Sequence, residues 1–168
     1  MGPVAQGENQ RIFSLVRGSD VALLLLRAMI GVVFIAHGAQ KLFGVFGGSG
    51  LEAMAHFMAG LGLRPGMFFA VLGGLAEFGG GLLLLVGLLT PLAGLIITGN
   101  MVVAIALVSG HDGFIARGGV GYEYNLVLIA IALALVIAGP GRLSLDRRLG
   151  LDQAVAGLVH RARPHRHR

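Results

Sequence analysis

The sequence predicts an all-α integral membrane protein: a bundle of four transmembrane helices with a short interfacial helix in the first outer loop. Three observations point there. Of the 168 residues, 55% are hydrophobic and 12% are charged, whereas a soluble domain carries about 25% charged residues. Four apolar runs reach or approach the roughly 20 helical residues needed to cross a hydrocarbon core. The 29 glycines follow no collagen period and many fall inside those runs, where small residues let helices pack closely in lipid.

Residues 1–20 are polar and are expected to form a disordered cytoplasmic N-terminus. A cleaved signal peptide fits them poorly, because Glu8 and Asp20 offset Arg11 and Arg17 and the next apolar run is long and holds Arg27. The segment is expected to stay attached. The first run covers residues 21–43, with Arg27 near its start and His37 and Lys41 toward its far end. Residues 51–63 differ. Leu51, Met54, Ala55, Met58 and Leu61 recur at helical spacing while Glu52 and His56 lie off that stripe, which predicts a short helix in the membrane interface, ended by Arg64-Pro65-Gly66.

The second run, residues 67–89, carries one carboxylate at its centre, Glu77. Only Thr90-Pro91 separates it from the third run, residues 92–109, so a tight hairpin with proline at the start of the new helix is expected. The fourth run, residues 124–138, is short; Tyr122 or Glu123 extends it at one end and Pro140 stops it at the other. Residues 21–146 thus form one four-helix unit, followed by a basic tail over 147–168. Four spans place both termini on one side. The terminal segments hold Arg11, Arg17, Arg142, Arg147, Arg148, Arg161, Arg163, Arg166 and Arg168, against Arg64 and Arg117 in the opposite loops. That bias predicts an N-in, C-in topology.

Ionisable groups are costly in a bilayer, so Arg27, His37, Lys41 and Glu77 are the default functional residues. At about 100° per residue, Arg27, Gly38 and Lys41 fall within roughly 60° of one another, with His37 at the flank. Gly73, Glu77, Gly80 and Leu84 make one stripe on the second span. On the third, Asn100, Ala104 and Leu107 align, with His111 beyond. The axial rise puts Glu77 near the midplane, with Arg27 below and Lys41 above, each within reach of it. His37, Lys41, His111, Asp112, Tyr122 and Glu123 are expected to crowd the outer mouth. Such a cluster suits a polar headgroup whose tail lies in lipid, a quinone for example, or a proton path. Plainer readings stay open: Arg27–Glu77 as a purely structural ion pair, Asn100 as an interhelical hydrogen bond, Lys41 snorkelling to the interface.

With no cysteine, the chain offers no disulfide, no thiol catalysis, no thiolate-held iron–sulfur cluster and no covalent c-type haem. His37 and His111 match no zinc spacing, and no metal site is expected. The basic tail favours anionic membrane lipid over nucleic acid as its partner.

Several motifs, spread over all four spans, are specific as a set. They are Leu26-Arg27 with Gly31 and Phe34, then His37-Gly38-Ala39-Gln40-Lys41-Leu42-Phe43-Gly44. Next come Ala76-Glu77-Phe78-Gly79-Gly80-Gly81-Leu82 and Gly87-Leu88-Leu89-Thr90-Pro91. The last are Glu123-Tyr124, Leu133-Ala134-Leu135, and Gly139-Pro140-Gly141-Arg142-Leu143-Ser144-Leu145-Asp146. In these the chain resembles the DoxX family of bacterial four-helix membrane proteins, over about residues 23–149. The resemblance implies a multi-pass protein of the bacterial inner membrane with a redox link. DoxD-type relatives serve thiosulfate:quinone oxidoreduction, and other DoxX-like proteins are associated with quinone or oxidative-stress resistance. It also implies a polar site at Arg27, His37, Lys41 and Glu77, with Asn100, Glu123 and His111 as cofactor-binding candidates and quinone as the cofactor. Peripheral or membrane redox proteins, or a second copy of the chain, are the partners to expect. Three functions remain open: a quinone-linked redox subunit, a non-catalytic scaffold for peripheral oxidoreductases, and a small transporter or proton pathway centred on Glu77. Whether the chain is itself an enzyme stays open with them.

Overall fold

The computed structural model describes the backbone of residues 3–116 and 119–151, and side chains within those ranges from Gly18 onward. Its elements are α1 (Pro3–Phe43), α2 (Gly50–Gly60), α3 (Gly66–Val86), α4 (Thr90–Leu107), a 3-10 turn (Ser109–Asp112), α5 (Glu123–Ala138) and α6 (Leu145–Arg148). There is no strand among the described residues. Three segments are long and apolar enough to cross a membrane: Gly18–Phe43, Gly66–Val86 and Thr90–Leu107. The fourth, Glu123–Ala138, has 16 residues, roughly 24 Å at the helical rise, a little less than the hydrocarbon core of about 30 Å.

One expectation is corrected at the start of the chain. The backbone of residues 3–20 continues α1 rather than preceding it as a disordered segment. Proline is tolerated at the first helical position, where Pro3 stands, and no other proline interrupts the chain before Pro65. The interfacial helix falls where its apolar stripe predicts it, as α2. Of the basic tail, residues 152–168 lie outside the described residues, as does Arg117 of the opposite loop.

The bundle is a ring in which α3 packs against α1 and α4, α4 against α5, and α5 against α1, with α2 laid on α3 and α1. Its core is Ile30 and Phe34 of α1, Leu84 of α3, Ala93, Ile97 and Met101 of α4, and Leu128, Ala132 and Leu135 of α5. The outward faces are apolar too: Leu25, Met29, Leu72, Leu75, Leu95, Val127 and Ile137 are all exposed. Apolar residues both inside and outside are what a helix bundle in lipid requires, and the chain is a membrane protein.

The α3–α4 hairpin explains how the spans are held in register. Gly87 is left-handed, at φ +70°. Leu88 N donates to Leu83 O at 2.9 Å and Gly87 N to Leu84 O at 3.1 Å, the two bonds of a Schellman cap. The first amides of α4 find their acceptor far along the chain. Asp146 receives Leu89 N at 2.7 Å and Thr90 N at 2.9 Å, and its own N–H donates to Gly87 O at 2.9 Å. The segment after α5 therefore folds back to cap α4. Two stretches that carry the DoxX resemblance, 87–91 and 139–146, meet at this contact.

Candidate functional site

Close approach between α1 and α3 sets the level of every polar group on them. A Cβ at Gly31 would lie 2.9 Å from Gly81 O, one at Gly81 would lie 2.8 Å from Ile35 N, and one at Gly38 would run into the backbone of Phe78. The antiparallel register that results puts Lys41 beside Glu77 and Arg27 beside Gly87, where a Cβ would overlap the guanidinium. Arg27 and Lys41 are nearly four helical turns apart, roughly 21 Å. The expectation that both reach Glu77 is therefore corrected: Lys41 does and Arg27 does not.

Glu77 is 1% exposed. Its Oε1 accepts from Lys41 Nζ and, at 2.9 Å, from Asn100 Nδ2. Its Oε2 is buried without a partner among the described residues. A buried carboxylate oxygen with no donor costs free energy unless something supplies one. Glu77, Lys41 and Asn100 border a cavity of about 270 Å³. Its apolar lining comes from Met54, Phe57 and Met58 of α2 and Val103, Ala104 and Leu107 of α4. Two further polar residues line it, Ser109 and Asn125. Ser109 Oγ donates to Asn125 Oδ1 at 3.1 Å, and Asn125 Nδ2 donates to Met101 Sδ at 3.4 Å.

The other predicted residues lie elsewhere. His37 and His111 are exposed and do not border the cavity. Glu123 is also outside it: its Oε1 accepts from Gly121 N at 3.3 Å, and its Oε2 is buried without a partner among the described residues. The structure thus assembles Lys41, Glu77 and Asn100 and leaves Arg27, His37, His111 and Glu123 apart. Sequence reasoning missed Ser109, Asn125 and the α2 contribution. Asn125 had a signal, since it is the one amide in an otherwise apolar fourth run; the position of α2 over the cavity had none.

At the opposite end Arg27 is 1% exposed. Its Nη2 donates to Leu143 O at 2.6 Å, and Asp146 is the carboxylate whose charge acts on it. Nη1 and Nε have no partner among the described residues. Arg142 N donates to Asp20 Oδ1 at 2.9 Å. A larger cavity of about 770 Å³ opens here, bordered by Leu23, Leu92 and Ile137 with Asp20 and Arg142. Its carboxylates are already committed, Asp146 to backbone amides and Asp20 to Arg142. The smaller cavity is the one with an unsatisfied acid, and it is the candidate site.

The comparisons with known proteins fit this architecture. The DoxX family model matches residues 22–110, which contain α1 from residue 22 onward, all of α2, α3 and α4, and the whole Lys41–Glu77–Asn100 cluster. The chain is 31% identical over 127 residues to CatD of Bacillus subtilis (strain 168), provisionally named an oxidoreductase, covering 76% of this chain and 86% of that protein. It is 35% identical over 132 residues to the inner membrane protein YqjF of Escherichia coli (strain K12), covering 77% and 93%. It is 30% identical over 145 residues to YphA, another inner membrane protein of that strain, covering 82% and 97%. No solved structure matches the chain significantly. Matched through the spans that carry its buried acid, and aligned with these relatives over most of their length, the chain belongs to the DoxX family.

Proposed function

We propose that this protein is a redox-associated, quinone-linked subunit of the bacterial inner membrane, acting in an oxidative-stress or respiratory setting, with its ligand held at Glu77. One observation carries the reading. A lone carboxylate inside an apolar bundle is paired with Lys41 and keeps one oxygen without a partner beside a cavity of about 270 Å³. That oxygen calls for a donor, and a quinol hydroxyl is one. The volume lies just below the roughly 300–1,000 Å³ that takes drug-sized ligands, so it suits a single substituted ring with its tail left in lipid.

When bound, a quinol supplies two electrons and two protons. The chain's residues supply the setting. Glu77 Oε2 would accept the two protons in turn, passing the first on before taking the second, and Lys41 would stabilise the carboxylate each time it is released. Asn100 fixes Oε1, which leaves Oε2 as the reactive atom. Met54, Phe57 and Met58 give the cavity an apolar wall. A peripheral or membrane redox protein takes the electrons. The bias of nine Lys and Arg in the terminal segments against Arg64 and Arg117 in the loops supports an arrangement with four spans and both termini in the cytoplasm.

The test is mild detergent purification followed by organic extraction and mass spectrometry of the bound small molecules. Quinone at near one-to-one, lost in Glu77→Gln, is the expected result. Lipid alone, with peripheral partners retained in Glu77→Gln, turns the reading to a scaffold. Substrate flux in liposomes that Glu77→Gln abolishes turns it to transport.

A further inference from the structure

The polar groups of the Glu77 cavity fall into two sets, and only the first was legible as a site. The first is Glu77 with Lys41 and Asn100, and what it has to offer is an acceptor, Oε2. The second is Asn125 with Ser109, contributed by α5 and by the 3-10 turn after α4. Its chemistry is the complement. An amide nitrogen carries two hydrogens, and Asn125 commits one of them to the thioether of Met101, a weak acceptor. The hydroxyl of Ser109 holds Asn125 Oδ1, which fixes which way the amide is turned.

The two sets lie at different depths. Asn100, bonded to Glu77, marks one level on α4. Asn125 bridges Met101 and Ser109, so its side chain lies about one to two helical turns further along, roughly 5–10 Å. Between them the walls are Val103, Ala104 and Leu107. An acceptor at one pole, a donor at the other and an apolar slot between them describe the ligand from both ends. It is a single ring with an oxygen at each end, hydrogen-bonded at both poles at bent rather than collinear angles.

We propose that Asn125 is the second anchor of this site and that Ser109 positions it, so that the pocket selects para-hydroquinones over rings with a single oxygen. The inference rests on the reading of Glu77 as a ligand site, and goes beyond it in assigning Asn125 and Ser109 and the two-ended requirement.

The experiment is calorimetric titration of the purified full chain in mild detergent, under anaerobic conditions, with trimethylhydroquinone and with the trimethylphenol that lacks its second hydroxyl. The expected result is hydroquinone binding about ten-fold tighter than phenol, the worth of one hydrogen bond in a dry site. Asn125→Leu should bring that ratio close to one. Ser109→Ala should lower it part of the way, and Glu77→Gln should weaken both probes together. Should Asn125→Leu fail to give a cooperative melt, Ser109→Ala decides: a ratio unchanged from wild type overturns the second anchor. Equal binding of the two probes to wild type, or a ratio that survives in folded Asn125→Leu, overturns it and leaves the Glu77 site standing. Failure of wild type to bind either probe overturns both.

Discussion

At one end of the bundle Arg27 and Asp146 are held by backbone atoms, while at the other Glu77 is held by side chains. Asp146 takes the amides of Leu89 and Thr90, and Arg27 gives to the carbonyl of Leu143. Those partners cannot swing away without unwinding a turn, and the guanidinium packs directly on Gly87. Glu77 is bonded to Lys41 and Asn100 beside a cavity, and both partners can change rotamer. The same economy of buried charge thus makes a clasp at one end and a receptive acid at the other. Being ionisable and buried did not separate the two roles; the nature of the partners did.

The comparison breaks most clearly at Asp146. Asp146→Ala removes the cap from α4 and leaves the amides of Leu89 and Thr90 without their acceptor, which should cost about 2–4 kcal/mol. A detergent melt that moves only slightly would show that the clasp does not hold the bundle. Gly87→Val comes next. Its φ of +70° disfavours any side chain, and the new Cβ would displace Arg27, so a loss of about 1–3 kcal/mol is expected from the same melt.

Glu77→Gln should invert the pattern. Lys41 is 28% exposed along its side chain and can turn outward once its partner is lost, so stability should fall by no more than about 1 kcal/mol. Ligand affinity, read by titration, should fall at least about ten-fold. Double-mutant cycles sharpen the point. Arg27→Leu combined with Glu77→Gln should be additive within about 0.5 kcal/mol, whereas Arg27→Leu with Asp146→Asn should show a coupling of about 1 kcal/mol or more. The smallest effect belongs to Arg142→Ala. Its guanidinium Nε stands 3.9 Å from Asp20 Oδ2 and is well exposed, while the Arg142 N–H to Asp20 bond persists without the side chain. A change within about 0.5 kcal/mol is expected.

Much of the fold was legible because its signals are local. Each apolar run became helical, the first as the C-terminal part of a longer α1, and the stripe of Leu51, Met54, Met58 and Leu61 foretold α2. Thr90-Pro91 opened α4 as a proline at a helix start should. Glu77 and Lys41 were singled out because charge in an apolar run is conspicuous whatever its neighbours are. The misreading of Arg27 shows where that logic stops. Counting residues from the ends of the runs placed Glu77 midway between Arg27 and Lys41, but helices of unequal length do not share a midpoint. The glycines of α1 and α3 set the offset instead.

The sequence by itself determined that the chain is helical, that it belongs in a membrane and that it carries an acid and two bases within its apolar spans. Those properties follow from hydrophobicity and length, which are sums over neighbouring residues. Only the tertiary structure decided which base meets which acid, that the segment ending in Asp146 returns to cap α4, and that Asn125 and Ser109 share a cavity with Glu77. Those pairings depend on close contact between surfaces far apart in the chain. A shift of one helical turn between α1 and α3 moves each partner by about 5 Å, more than a hydrogen bond can bridge.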